Sequence, residues 1–350
     1  MLYLDALARF EYIVAMWLER FQKHAKENPL SLILSEGNDI RVMEAAANVI
    51  SQGYASQVTI IGNFETIEAS SREKSFDLSR ITVIAPEKSD QLEHLGKRLF
   101  ELRSSEFASL AEAVEKAKNP LLFGTLLHEA GYADIHISGA VETSADVIRA
   151  FFHIIKPNRK QGMAASFFFM DALDSQWGEN GAMIFADCAV NIEPSARQLA
   201  RIAHQTGNIA KNIFGFDTRL ALLSYSTKGS GSGDQVNTVL EAGRELAKLN
   251  PEFLYEVEMQ ADAAIVPEVS NRKASGNKLA GKSNVLVFPD LQSGNISYKL
   301  VERFAGAHAY GPIMVGLNKT ATDLSRGCSS DDIVGTFLVA SYYHHKKSSS

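Results

Sequence analysis

The stretch Asp323-Leu-Ser-Arg-Gly-Cys-Ser-Ser-Asp-Asp-Ile-Val334 gathers hydroxyls, a guanidinium, a thiol and three carboxylates just ahead of an apolar run that reads as a helix. Arg326 offers fixed planar donors suited to a phosphate, and a carboxylate such as Asp332 can take a proton. The combination points to phosphoryl or acyl-phosphate chemistry. A plain loop entering a capped helix explains part of it, since Ser329 followed three residues on by Asp332 is a capping-box pattern. That reading leaves Asp323 to Cys328 unexplained. Cys328 is a nucleophile in principle, but no His lies close in sequence and buried structural cysteines are commoner.

Other residues could assist. Ser226-Thr-Lys-Gly-Ser-Gly-Ser-Gly233 follows a predicted strand and precedes a predicted helix, where a phosphate-cradling loop sits. Its Lys precedes the glycines and their spacing is GxGxG, so it is neither a Walker A motif nor the Rossmann fingerprint. A flexible connection and an anion site stay equally open there. Lys273 lies in a predicted polar loop, Ser270 to Ser275. Lys299 is placed one turn into a helix opened by Asp290, where a cation opposes the helix dipole unless an anion compensates. Arg103 and Arg149 each sit on or just after a helix that follows a strand end. Both could face a cleft at the carboxyl ends of strands, although surface ion pairing is the commoner fate.

The elements that must position these groups alternate. Strands are predicted at Ser31–Ser35, Val58–Ile61, Ile81–Ile84 and Ile135–Ser138. Helices are predicted at Val42–Ile50, Gln91–Leu102, Ser109–Ala117 and Ser144–Ile154. Glu36-Gly-Asn-Asp39 is the turn leaving the first strand, and the first βαβ connection should be right-handed. Pro157 to Gly162 marks a boundary. Further strands follow at Ser166–Met170, Ala182–Ala186, Leu220–Tyr225, Ala261–Val266, Val285–Phe288 and Ile313–Leu317. Helices at Pro194–His204 and Gln235–Leu249 separate some of them, and Asp331–Tyr342 closes the chain. This is an α/β pattern with mostly parallel sheets.

With 350 residues, 45% of them apolar and 22% charged, the chain has the composition of a globular protein of about two domains. A net charge of −6 with interspersed signs argues against nucleic acid as partner. Two distant cysteines call for no disulfide framework and fit a reducing cytoplasm, and metal-ligand spacings are absent. The segment Met1 to Gln22 carries five charges, and its longest uncharged run, Tyr12 to Leu18, falls short of the roughly 20 residues a membrane span needs. It is read as an amphipathic helix docked on the body of the protein, not as an anchor.

The opening stretch resembles the C-terminal signature of the phosphate acetyltransferase (phosphotransacetylase) family. Further blocks match in order: Ser138 to Val147, Asp187 to Ile192, Ser224 to Ser230, Gln260 to Val269, Asn284 to Leu291 and Gly294 to Leu300. The resemblance runs from about Leu32 to Tyr342. It implies two α/β/α domains related to isocitrate and isopropylmalate dehydrogenases, with the active site in the cleft between them and usually a homodimer. The expected first domain is 1–157 plus 313–350, the second 158–312.

The implied reaction is reversible acetyl transfer between coenzyme A and inorganic phosphate. By resemblance Asp332 takes the thiol proton, which is needed because a thiol of pKa about 8.5 is mostly protonated at neutral pH. Arg326 holds the phosphate and offsets its charge, Ser325 bonds a carbonyl or phosphate oxygen, and Arg103, Arg149, Lys273 and Lys299 bind substrate. No acyl-enzyme, tightly bound cofactor or metal is implied; CoA is a substrate. Where relatives carry a Pro and an Asn, this chain has Thr320-Ala-Thr322, read as a loop beside the site, which leaves acyl-chain preference open between acetyl and a longer group such as butyryl. The extended N-terminal helix has no place in the resemblance. From other classes, an NAD(P)-dependent decarboxylating dehydrogenase of similar fold would need a metal-binding aspartate cluster, and a non-catalytic CoA-binding regulator would show no phosphate-dependent turnover.

Overall fold

The computed structural model describes residues 16–158, 162–172 and 174–348. They form two compact units, one of Arg20–Asn158 with Leu317–His344, the other built on the described part of Arg159–Gly316. Met1–Ala15, most of the predicted N-terminal helix, lies outside the described residues; from Met16 onward the chain is helical, α1 running Met16–Glu27.

The first unit continues with β1 (Leu30–Leu34), α2 (Ile40–Ser51), β2 (Ala55–Ile61), α3 (Phe64–Lys74), β3 (Ile81–Ile84), α4 (Leu92–Leu102), α5 (Leu110–Ala117), α6 (Pro120–Ala130), β4 (Ile135–Ile137) and α7 (Ser144–Ile154). The second unit holds β5 (Ala165–Asp171), β6 (Ala182–Ala186), α8 (Ala196–Asn208), β7 (Arg219–Leu223), α9 (Asp234–Lys248), β8 (Leu254–Met259), α10 (Ala261–Ile265), α11 (Pro267–Lys273), β9 (Val285–Val287), α12 (Leu291–Ala305) and β10 (His308–Val315). The chain then returns to the first unit with β11 (Thr320–Thr322) and α13 (Ser330–Ser348).

In the first unit the strand order is β3-β2-β1-β4-β11, and every pairing is parallel. Leu32, Ile33 and Leu34 are almost fully buried, as expected of a strand covered by helices on both faces. Side chains cap the helix starts: Asp39, Asn63, Ser109, Asn119 and Thr143 each accept a backbone N–H of the first turn, about 1 kcal/mol apiece. The second unit has the order β10-β5-β6-β9-β7-β8. Its first two pairings are antiparallel and the other three parallel. Its core joins Phe168, Phe185, Leu286, Phe288 and Tyr298, with Phe168 and Tyr298 stacked at 4.0 Å between ring centres.

Several elements differ from the sequence expectation. Ala261–Val266 is not a strand: Ala261–Ile265 is helix α10, opened by Gln260 and ended before Pro267. Three alanines, the best helix formers, outweigh its β-branched end. The predicted strand at Ile313 begins five residues earlier, at His308, and carries Pro312 at a register shift between Tyr310 and Ile313, the kind of irregularity where a strand tolerates proline. Thr320–Thr322 is a buried strand paired with β4, not a loop. Among the described residues no helix is long and apolar enough to cross a membrane.

Candidate active site

Three segments of the first unit leave the carboxyl ends of the neighbouring parallel strands β1, β4 and β11: Ser35–Asp39, Ser138–Glu142 and Asp323–Ser329. Ligands of open α/β sheets bind at this end of the strands. Glu36 ties the first segment to the second. Its carboxylate accepts four successive backbone N–H groups, from Gly139 (2.8 Å), Ala140 (2.7 Å), Val141 (3.0 Å) and Glu142 (2.7 Å). Gly139 has φ +110, and a Cβ there would stand 2.2 Å from Asp323 Oδ1, so the close approach of the second and third segments requires glycine.

Arg41 joins all three. Its guanidinium donates to the carbonyls of Arg326 (2.9 Å), Cys328 (2.8 Å) and Ala140 (2.8 Å), and to both oxygens of Asp39 (2.9 and 2.8 Å). Asp39 also accepts the Arg41 backbone N–H as the cap of α2. This pairing holds the Asp39 carboxyl below its ordinary range, chiefly through hydrogen bonding from Arg41. The turn Ser325–Cys328 is thus fixed by its backbone, closed by the Cys328 N–H on the Ser325 carbonyl at 2.9 Å.

Ser325 is half-buried and Arg326 exposed. Among the described residues no hydrogen bond or ion pair engages the Arg326 guanidinium, which suits it to an incoming anion. Asp332 stands in the first turn of α13, accepting the Ser329 N–H at 2.8 Å and donating its own N–H to Ser329 Oγ at 3.1 Å. The expected reciprocal cap is present. Cys328 is 7% exposed, and burial pushes its thiol up to about 11. A thiol so raised is protonated at neutral pH and a poor nucleophile.

The structure gathers Ser325, Arg326 and Asp332 on this loop and helix start. It gathers Arg103 and Arg149 around Glu106. Arg103, at the end of α4, grips both Glu106 oxygens, while Arg149 bonds Asp146 at 2.6 Å one turn back on α7. His153 lies 3.6 Å from Glu106. The Arg103 hydrogen bonds hold the Glu106 carboxyl below its ordinary range, with His153 and Arg149 adding to the field.

Lys273 and Lys299 belong to the second unit. Lys273 is the last residue of helix α11 rather than part of a loop, and pairs with Asp262 at 2.7 Å and Gln260 at 3.0 Å. Lys299 is in the third turn of α12, beyond the first turn expected for it, so the dipole argument made for it does not apply. Its ammonium lies 4.9 Å from the ring centre of Tyr298, within cation–π range.

The glycine-rich segment 226–233 is an ordered loop around Glu258, a 4% exposed carboxylate. Glu258 Oε1 accepts from Ser226 Oγ (2.6 Å) and the Gly229 N–H (2.7 Å), and Ser226 Oγ accepts the Gly231 N–H (2.7 Å). An internal carboxylate therefore takes the donors an outside anion would seek. Arg41 and Glu36 were not anticipated as site residues: Glu36–Asp39 was read only as a turn. The available signal was Glu36-Gly-Asn-Asp-Ile-Arg41, acid and guanidinium together immediately after a buried strand.

Comparison with known proteins identifies the family. Residues 16–341 match the family model described as phosphate acetyl/butaryl transferase. Phosphate acetyltransferase of Thermoanaerobacterium thermosaccharolyticum is 42% identical over 310 residues, 89% of this chain and 94% of that protein. The crystal structure of a phosphotransacetylase from Streptococcus pyogenes superposes with a TM-score of 0.82 at 36% identity, over 94% of this chain and 98% of that one. A provisionally named 4-hydroxythreonine-4-phosphate dehydrogenase from Salmonella typhimurium, 12% identical with a TM-score of 0.51 over 90% of this chain and 99% of its own, shares the fold alone. With the matched residues spanning nearly the whole chain and including every segment of the β1–β4–β11 site, the protein belongs to the phosphate acetyl/butaryl transferase family and is an acyltransferase.

Proposed function

We propose that the protein is a phosphate acetyltransferase, interconverting acetyl-CoA plus inorganic phosphate with acetyl phosphate plus CoA. The observation that carries this is the Ser325–Asp332 segment, which sets an exposed guanidinium, a hydroxyl and a carboxylate within eight residues at the carboxyl end of β11, its turn fixed by Arg41.

In the direction of CoA acetylation, Asp332 accepts the thiol proton and the thiolate adds to the carbonyl carbon of acetyl phosphate. The C–S bond forms, the C–O bond to phosphate breaks, and phosphate leaves with the electron pair. Arg326 neutralises charge on the phosphoryl oxygens as the C–O bond lengthens, and Ser325 donates to the developing oxyanion. The reaction is direct, without an acyl-enzyme, in keeping with a Cys328 thiol held protonated by burial. Arg103, Arg149, Lys273 and Lys299 bind the anionic substrates, CoA among them. Cytoplasmic location, homodimeric assembly and a two-domain division near 157 and 312 belong to the same proposal.

Phosphate-dependent release of CoA thiol, followed with acetyl-CoA and butyryl-CoA side by side, tests it. A higher kcat/KM for acetyl-CoA is expected. Preference for butyryl-CoA would reassign the acyl group, and absence of phosphate-dependent thiol release from either would overturn the reading.

A further inference from the structure

Glu36 stands just past β1 on a backbone that is itself tied down. Ser35 before it is fully buried, the Gly37 N–H donates to the Ile61 carbonyl at 2.9 Å, and the Asp39 N–H donates to the Glu36 carbonyl at 3.0 Å. From this fixed point the carboxylate divides its oxygens evenly. Oε2 takes the Gly139 and Ala140 N–H groups, and Oε1 takes those of Val141 and Glu142. An ionised carboxylate has about four lone-pair positions, and here they meet four donors. Nothing of it is left over for substrate.

The segment held in this way reaches the Ser325–Cys328 turn along two routes. Ala140 is gripped on both sides, its N–H on Glu36 and its carbonyl on Arg41 at 2.8 Å. The same guanidinium carries the Arg326 and Cys328 carbonyls. Gly139 lies against the chain entering the turn: a Cβ there would stand 2.2 Å from Asp323 Oδ1 and 2.7 Å from the Leu324 nitrogen. The hydrogen bond from Asp39 raises the Arg41 guanidinium above its ordinary value, and Glu36 adds to that field.

We propose that Glu36 is a positioning residue for the acyl transfer. Its carboxylate fixes Gly139–Glu142, and through Ala140 and Arg41 that segment sets the turn and the Arg326 guanidinium in register for phosphate. This rests on the proposed role of Arg326. Charge and length are both required. Glu36→Gln keeps the shape but presents an NH₂ group to two of the N–H donors, which then face a donor in place of an acceptor. Glu36→Asp keeps the charge and falls one methylene short of the row.

A double-mutant cycle in the full-length protein reads the coupling. Initial rates of phosphate-dependent thiol release are taken well below the melting temperature of each variant. Glu36→Gln alone is expected to lower kcat/KM for phosphate at least about tenfold, the scale of a small misplacement in a site, with its circular dichroism spectrum unchanged. In an Arg326→Gln background the same substitution is expected to cost less than about twofold, because the group it positions is gone. Glu36→Asp is expected to fall between wild type and Glu36→Gln, and enters the same cycle where Glu36→Gln does not fold. A loss that multiplies in full on Arg326→Gln, or a Glu36→Gln enzyme as active as wild type, overturns the positioning role and leaves the reading of Arg326 standing. An Arg326→Gln enzyme as active as wild type overturns both.

Discussion

Asp332 and Ser329 cap each other: the carboxylate takes the Ser329 N–H at 2.8 Å and the hydroxyl takes the Asp332 N–H at 3.1 Å. The residue proposed as base is therefore also a structural part of α13, and the two roles separate by mutation. Asp332→Asn keeps an acceptor for the cap and removes the base, so kcat should fall by about 10²–10⁴ with little change in Tm. Ser329→Ala removes half of the cap and should cost about 1 kcal/mol of stability with most activity retained. Thermal melts and initial rates on both variants check the split; equal activity losses would refute it.

Arg41 holds the backbone that carries Ser325 and Arg326 without being expected to touch substrate. Arg41→Met leaves the carbonyls of Ala140, Arg326 and Cys328 without their charged donor and should destabilise by about 2–4 kcal/mol. Because the displaced turn carries the guanidinium proposed to bind phosphate, the apparent KM for phosphate should rise more than the KM for acetyl-CoA. Arg41→Lys restores charge but not the fork, so it should recover stability only partly. A uniform loss in both KM values would mean Arg41 acts through the fold alone.

Cys328 is expected to be dispensable. With its thiol pushed up to about 11 and 7% of its surface exposed, Cys328→Ala should keep kcat within about threefold of wild type, the spread of a small packing change near a site. A loss beyond a hundredfold would reinstate a covalent route.

Acid should loosen the first unit through His128 and His136. Both are fully buried, and burial pushes His128 down to about 4 and His136 well below its ordinary value. The folded state thus favours neutral imidazoles, while the unfolded chain binds protons below about pH 6.5. The unfolded state then holds more protons, so stability is full above pH 6.5 and lost as pH falls toward 4, by about 3 kcal/mol for His128 alone. Urea midpoints at pH 7 and pH 5, compared between wild type and His128→Gln, measure it; the variant should show the shallower dependence.

Much of the architecture could be read from the residues, and the exceptions have physical causes. β3, β6 and α7 fall where pattern and caps put them, because Ile81–Ile84 and Ala182–Ala186 are compact apolar runs and Thr143 marks a helix start. Helix α6 escaped because Leu121 through His128 is buried all round, so no amphipathic period shows. Within the candidate site, Ser325, Arg326 and Asp332 stood out because their side chains are of types that can do chemistry. Arg41 did not, since apart from nearby Asp39 its partners are backbone carbonyls up to 287 residues away, and a carbonyl leaves no mark on sequence. Chain pattern also could not tell whether the loop 226–233 was vacant. That depended on Glu258, which enters from β8, a strand not recognised in advance.

Glu36 and Glu258 have one more consequence. Glu36 fills a nest of four backbone amides, and Glu258 takes one amide and one hydroxyl of its loop, so donors that could hold inorganic phosphate are met by the protein's own carboxylates. Under the proposed role of Arg326, such occupancy leaves it without a rival for phosphate at the neighbouring nest of Gly139–Glu142. Neutralising Glu36 would turn a brace into a rival.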